Sequence, residues 1–360
     1  MLKIPGYQGS GDCLLKLPFE EIVTIMIPSL RKWEQSEQKI INVIEKTKNL
    51  RTFEYGTANV NVFTVLASNC KNLTDLHLKL DYNSRIEDLD KKLSRIFKNN
   101  EKIKSLKLEN FHAITGECFL LLNKNIVEVI GLIRISNIQR DFLIKSLPKF
   151  TKLRTLDLSI IGHTAYDHLI ECINLCQNLK RLTIMDKRFN KDFNRICFPK
   201  KIEWLNIFLN EEQPIAESFL DYLSRNLLEL KYLCIFGNIR NISSYKFDLN
   251  CKFQKLEALE ISWQSKFTGS GLENFPNLKK FSCFEGENLD DENVINLLKC
   301  ANNLESLNVR GCKKITNAVV NTALELTRKR TNGVMLTIGT FGTKINIDEI
   351  LEKSPLLRLA

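Results

Sequence analysis

The chain has 360 residues, 44% hydrophobic and 26% charged, with 52 basic against 42 acidic side chains and a formal net charge of +10. This composition excludes the disordered, collagenous and disulfide-scaffold classes, and no apolar stretch approaches the roughly 18 residues of a membrane span. Eleven cysteines, an odd number with no CxxC pair, and a Gly- and Ser-rich start from Met1 to Asp12 without an apolar run predict a reducing compartment, cytosol or nucleus.

In chain order, residues 1–47 read as an N-terminal tail and helical cap. From there one frame recurs: an apolar residue, two variable ones, an apolar, one variable, an apolar. It opens at Leu50, Leu73, Ile103, Ile130, Leu153, Leu179, Ile202, Leu230, Leu256, Leu278 and Leu304, with spacings of 22 to 30 residues. The unit over 126–135 has two readings, because Ile126 and Val129 can open it in place of Ile130. Val334 to Ile338 and Leu356 to Leu359 read as worn terminal units. Eleven units at a mean of about 25 residues fall in the range of leucine-rich repeats.

Each unit has the same internal logic. Apolar residues two apart line one face of a short strand. Eleven or twelve positions after the opening residue comes a helix-capping side chain. Ser84 with Glu87 and Thr164 with Asp167 have capping-box spacing, Thr115, Asp141, Asp290 and Thr316 share the offset, and Pro214 is placed as a first-turn proline. Strand, loop and helix then repeat, which requires the strands to stack in parallel. One unit cannot bury its own face, whereas stacked units build a continuous core.

The segment Cys300-Ala301-Asn302-Asn303-Leu304-Glu305-Ser306-Leu307-Asn308-Val309-Arg310-Gly311-Cys312-Lys313-Lys314-Ile315-Thr316-Asn317 resembles the cysteine-containing repeat of the F-box/LRR protein family. Cys70 to Leu73 and Cys176 to Leu179 match the opening of that repeat, and Leu289 to Glu292 its helix start. The resemblance implies an α/β fold over residues 48–360: a right-handed leucine-rich-repeat solenoid, or horseshoe, with a concave parallel β-sheet and convex helices. It also implies a substrate receptor of an SCF-type ubiquitin ligase, with partners in a Skp adaptor and a cullin where an F-box is present. Leu17-Pro18-Phe19-Glu20 with Ile22 and Ile25 is similar to an F-box opening, but Arg31-Lys32-Trp33 arrives too soon for its later segment. The F-box is therefore expected to be degenerate or missing.

No phosphate-binding, dinucleotide, zinc-protease or serine-hydrolase motif is present, so the sequence predicts no enzyme and no cofactor. His168, Cys172 and Cys176, with His163 nearby, share one helical face. Their i to i+8 span is about 12 Å, too long for one zinc with ligands at about 2.0–2.3 Å, so no metal site is predicted. The acidic run Glu285, Glu287, Asp290, Asp291 and Glu292 reads as a helix N-terminus.

The concave face carries the functional reading. With the frame at positions 1, 4 and 6, positions 3, 5 and 7 point away from the core. Early units place polar residues there: Asp75, His77, Lys79; Ser105, Lys107, Glu109; Thr155, Asp157, Ser159. Later units place Trp204, Asn206, Phe208, Tyr232, Phe236, Glu260 and Phe284 there, with Trp263 one position on. Parallel strands stack about 4.8 Å apart, which sets Trp204 beside Tyr232 and Phe208 beside Phe236. Aromatic clusters of this kind mark protein-binding surfaces, so these eight residues are the predicted partner site, holding a protein or peptide. The alternatives are an F-box-independent adaptor and a nucleic-acid-binding protein. The second draws on the +10 balance, but residues 201–300 carry 11 basic against 15 acidic groups and no recognition module accompanies the charge.

Overall fold

In the computed structural model, all eleven apolar frames lead into parallel strands. The structure describes residues 2–3, 22–27, 37–56, 58, 60–82, 86–139, 141–161, 166–185, 197–209, 217–237, 253–262, 267–350 and 353–360. By internal contacts the chain forms two units, Met1–Leu179 and Lys180–Ala360.

The first unit contains β1 (Leu2–Lys3), β2 (Thr24–Ile27), α1 (Glu37–Lys46), β3 (Thr52–Tyr55), α2 (Val60–Asn69), β4 (Asp75–Lys79), α3 (Leu89–Asn99), β5 (Ser105–Glu109), β6 (Val129–Ile135), β7 (Thr155–Ile161) and α4 (Tyr166–Leu175). Each strand pairs in parallel with the next, and the apolar frame stays in register: Leu76 is opposite Phe53 and Leu106. The frame side chains are fully buried. A row of phenylalanines beneath them (Phe97, Phe119 and Phe142, with ring centroids 6.2 and 4.5 Å apart) joins successive repeats. Burying one such apolar side chain is worth about 1.5–3 kcal/mol, gained only when the neighbouring repeat closes over it.

The second unit runs β8 (Arg181–Met185), β9 (Trp204–Leu209), α5 (Glu217–Asn226), β10 (Tyr232–Gly237), β11 (Ala258–Ser262), β12 (Lys280–Phe284), α6 (Asp291–Cys300), β13 (Ser306–Asn308), α7 (Asn317–Lys329), β14 (Leu336–Gly339) and β15 (Leu357–Leu359). Its strands are likewise consecutive and parallel. Frame residues such as Leu233, Ile235, Leu259 and Ile261 are wholly buried. The alternating burial of β8 and β12 leaves their other face open.

Several expectations are corrected. Strand pairing begins upstream of residue 48: Ile22, Ile25 and Ile27 repeat the apolar frame and are 6%, 1% and 3% exposed, with Ile25 opposite Phe53. Ile25 is thus a core residue of a repeat strand and Ile22 is buried just ahead of it; Leu17 to Glu20 and Arg31 to Trp33 lie outside the described residues. The unit over 126–135 opens at Val127, not at Ile130, Ile126 or Val129. Ile130 and Leu132 pair with Leu106 and Leu108, while Ile133 is only half-buried.

Helix starts also differ in detail. Asp290 and Thr316 cap α6 and α7 through the N–H groups of Asn293 and Ala318. Thr115 is itself held by Asp90, and Asp141 makes no capping bond; it pairs with Lys145 at 3.0 Å. Ser84, Thr164 and Pro214 lie outside the described residues. The convex element is often short: the repeats opening at Ile103 and Leu256 carry only 3-10 turns, Glu117–Leu121 and Leu272–Asn274.

Candidate binding face of the second unit

Parallel pairing places the outward residues of β8 to β13 in three rows. The first runs Arg181, Trp204, Tyr232, Ala258, Lys280, Ser306. The second runs Thr183, Asn206, Cys234, Glu260, Ser282, Asn308, and the third contains Phe208, Phe236, Ser262 and Phe284. Seven of the eight residues expected at a partner site therefore share one sheet face. Trp263 lies outside the described residues.

Trp204 and Tyr232 stack with ring centroids 3.4 Å apart and planes 14° from parallel. The Arg181 guanidinium lies 5.2 Å from the Trp204 ring on the other side, in cation–π range. Sequence reading missed Arg181 because it belongs to the preceding repeat, where it fills the same position as the two aromatics. All these rings are half-buried, as are Phe208, Phe236 and Phe284. The stack and its flanking rows withdraw much of each ring from water, so the face is a semi-dry platform.

Beside the stack lies a cluster of polar groups centred on the second row. Cys234, fully buried, donates its thiol to Glu260 Oε2 at 3.4 Å. Burial first, then the Glu260 carboxylate, pushes the Cys234 thiol above its ordinary value. Burial likewise pushes the Tyr232 hydroxyl up, with Cys234 and Glu260 beside it adding to the effect. Both groups are therefore neutral, and the Cys234 thiol is the one that donates to the carboxylate. Among the described residues no cation pairs with Glu260. Asn206 Oδ1 and Ser262 Oγ are buried without a hydrogen-bond partner there.

The first unit presents a different open face, dominated by ion pairs. Glu109 is bound by Lys79 at 2.7 Å and by Arg134 at 3.0 Å, and His77 sits 3.4 Å from Glu54. Burial is the largest influence on His77 and lowers its pKa. Asp157 accepts the Ser159 hydroxyl at 2.7 Å.

Seven of the nine described cysteines are buried. None of the nine described ones forms a disulfide, and Cys70 and Cys176 are buried at the position three before the frame leucine, as the family resemblance implies. Cys300 departs from that pattern, because Ala301 takes the buried position and Cys300 is only partly covered. Cys172 and Cys176 share the core; His163 lies outside the described residues, as does the His168 side chain. Among the described residues no cluster of metal-ligating side chains occurs, and no helix is long and apolar enough to cross a membrane.

Parallel strands with flanking helices, repeated at this period and holding one face open, define a leucine-rich-repeat solenoid. No known family profile matches the chain, and no curated protein sequence does. Among solved structures it is similar to a chain of the yeast Rad7 and Elc1 complex, at 15% identity and a TM-score of 0.52 over 90% of this chain and 87% of that one. It is also similar to an internalin of Listeria monocytogenes (13% identity, TM-score 0.40, covering 95% and 87%) and to a leucine-rich-repeat protein of Leptospira interrogans (13%, 0.41, 90% and 86%). At these identities the likeness is one of fold.

Proposed function

We propose that the protein is a non-enzymatic interaction scaffold that holds a protein or peptide on the open sheet face of its second unit. The observation that carries this is the Trp204–Tyr232 stack flanked by Arg181 and Glu260. Rigid aromatic anchors beside a polar rim are the usual composition of a protein-binding hot spot. Residues Trp204, Asn206, Phe208, Tyr232, Phe236, Glu260, Trp263 and Phe284 are the proposed contacts.

The finer reading is a substrate-recognition subunit of an SCF-type ubiquitin ligase in the cytoplasm or nucleus. It is supported by the cysteine-containing repeat over Cys300 to Asn317 and by the fold likeness to a chain solved in a two-protein complex, that of Rad7 and Elc1. The strand role of Ile25 weighs toward an adaptor that works without an F-box of its own in this segment.

Comparative capture tests the scaffold reading. A Trp204→Ala, Phe208→Ala, Phe236→Ala variant that melts like wild type is expected to lose a discrete set of bound proteins. A control changed at Leu175, exposed on α4 of the first unit, is expected to keep them. Identical recovery in all three proteins overturns the assignment of this face. Failure to bind purified Skp adaptor and cullin overturns the ligase reading alone.

A further inference from the structure

We propose that the sheet position over Ala258, between Tyr232 and Lys280, is the seat of an arginine side chain presented by the bound protein segment; this rests on the scaffold reading above. Four features of the second unit point to it.

First, the row Arg181, Trp204, Tyr232, Ala258, Lys280 is one continuous line of registered neighbours. Arg181 already shows that this line accepts a guanidinium against an aromatic face, at 5.2 Å from Trp204. Second, the stack ends at Tyr232 on a residue with a single methyl. Trp204 covers one face of the Tyr232 ring at 3.4 Å. The next strand offers only Ala258, which cannot cover the other. A planar group one strand spacing wide, about 4.8 Å, completes the line.

Third, the acceptor is in place. Glu260 belongs to the same strand as Ala258, two residues on, and so points to the same face. Its described hydrogen-bond partner is the Cys234 thiol, a neutral donor. Three other glutamates of the unit are held by lysines: Glu203 by Lys180 and Lys231, Glu229 by Lys255 and Glu257 by Lys279. Glu260 is thus a half-buried carboxylate whose countercharge has yet to arrive. Fourth, an aromatic face beside a carboxylate suits guanidinium better than ammonium. A guanidinium stacks flat on a ring while its fork of N–H donors meets a carboxylate in plane; an ammonium can do only the second.

Lys280, the exposed neighbour on the far side, opposes a cation. Its flexible stem lets the charge swing to water, but it should still weaken binding. That gives the proposal a signature that general stickiness lacks: removing Lys280 should tighten the complex.

The test uses the full chain and a phage-displayed random dodecapeptide library, followed by synthesis of the selected peptides. Peptides that depend on Trp204 are expected to carry a shared arginine. Its change to alanine, or Glu260→Gln in the protein, should weaken binding at least tenfold. Arginine to lysine in the peptide should lose most of that, Ala258→Leu should block binding without lowering the melting temperature, and Lys280→Ala should tighten it two- to fivefold. Peptides that need Trp204 but not arginine or Glu260 overturn this proposal and leave the scaffold reading standing. Recovery of no binder that depends on Trp204 overturns both.

Discussion

Asp90 in α3 accepts both the backbone N–H of Thr115, at 2.7 Å, and its hydroxyl, at 3.1 Å, one repeat further along. The second oxygen of Asp90 takes the N–H groups of Gly116 and Cys118 at 3.3 and 3.1 Å. Asp291 repeats the arrangement on the Thr316 N–H at 2.8 Å, and Asn317 on the Asn346 N–H at 2.8 Å. The first turn of one repeat's helix therefore anchors the start of the next convex element. Asp90→Ala should cost about 2–4 kcal/mol, since charge-assisted bonds are worth about 1.5–3 kcal/mol each and are not additive. Asp88→Asn removes only an exposed ion pair to Lys91, keeps a side chain that tolerates the left-handed φ of 55° there, and should cost at most about 0.5 kcal/mol. Urea denaturation of the two variants checks this; equal losses would contradict the anchoring role.

The apolar frame was legible because period-two burial leaves a direct mark on sequence. Ile22, Ile25 and Ile27 carried the same mark and were obscured by a motif-like neighbour, Leu17 to Glu20. The Val127 frame was ambiguous because Ile126, Val127, Val129, Ile130, Leu132 and Ile133 fit more than one register; only pairing with Leu106 selects one. The face of the second unit was legible in composition but not in energetics. No sequence pattern announces that Arg181 caps the Trp204 stack, or that Cys234 donates to Glu260, because both contacts join residues 23 and 26 positions apart.

Asn100 replaces cysteine at the position three before a frame residue. It is 1% exposed, accepts the Leu73 N–H at 2.9 Å and donates to the Cys70 and Ile96 carbonyls at 2.8 and 2.9 Å. Asn100→Leu keeps the volume and strands the Leu73 N–H and Cys70 carbonyl in the core. Each stranded group costs about 1–3 kcal/mol, so a loss of about 3–5 kcal/mol is expected in chemical denaturation, with faster amide exchange at Leu73. Unchanged exchange there would exclude the bridging role.

Alternating charge runs along the second unit just ahead of the strands: Lys180, Glu203, Lys231, Glu257, Lys279, Glu305. Glu203 contacts Lys180 at 2.6 Å and Lys231 at 3.1 Å, and Lys279 contacts Glu257 at 2.9 Å. Hydrogen bonds from Lys180 and Lys231 hold the Glu203 carboxyl below its usual range. Glu203→Lys makes three lysines successive and should destabilise by about 1–2 kcal/mol at low salt, given at most about 1 kcal/mol per exposed pair. Because exposed charges are screened, 1 M NaCl should recover most of that loss. A salt-independent loss would point to packing instead.

Asp157 on the open face of the first unit has its pKa raised by burial, against the lowering influence of Ser159 and Lys107. A carboxylate whose folded pKa exceeds its unfolded value of about 3.9 favours folding when protonated and loses that benefit as pH rises through the folded value. Asp157→Asn keeps an acceptor for Ser159 and removes the charge. It should stabilise the protein at pH 7, with the advantage over wild type shrinking as pH falls toward about 4. A variant less stable than wild type at pH 7 would show that the charge is compensated by Lys107.

Thiol chemistry should follow burial. Burial pushes Cys70 up to about 12 and drives Cys118 well above the ordinary thiol value, while a hydrogen bond with Cys176, then burial, does the same for Cys172. Cys283 and Cys312 share a hydrogen bond, so the Cys283 proton is held and its pKa raised while that of Cys312 falls. Both are buried, and a Cβ at Gly286 would lie 2.6 Å from the Cys283 sulfur, so no reagent reaches them without opening the repeat. Thiolate fraction and access together set alkylation rate. Among the nine described cysteines, iodoacetamide at pH 8 should therefore modify exposed Cys197 first and partly covered Cys300 next. The remaining seven should react only at the rate of local or global unfolding, accelerating in urea in step with loss of helical signal. Peptide mapping over time resolves the order. Early modification of Cys234 in native protein would show that the Tyr232–Glu260 platform opens readily, and would remove the rigid anchor on which binding at that face depends.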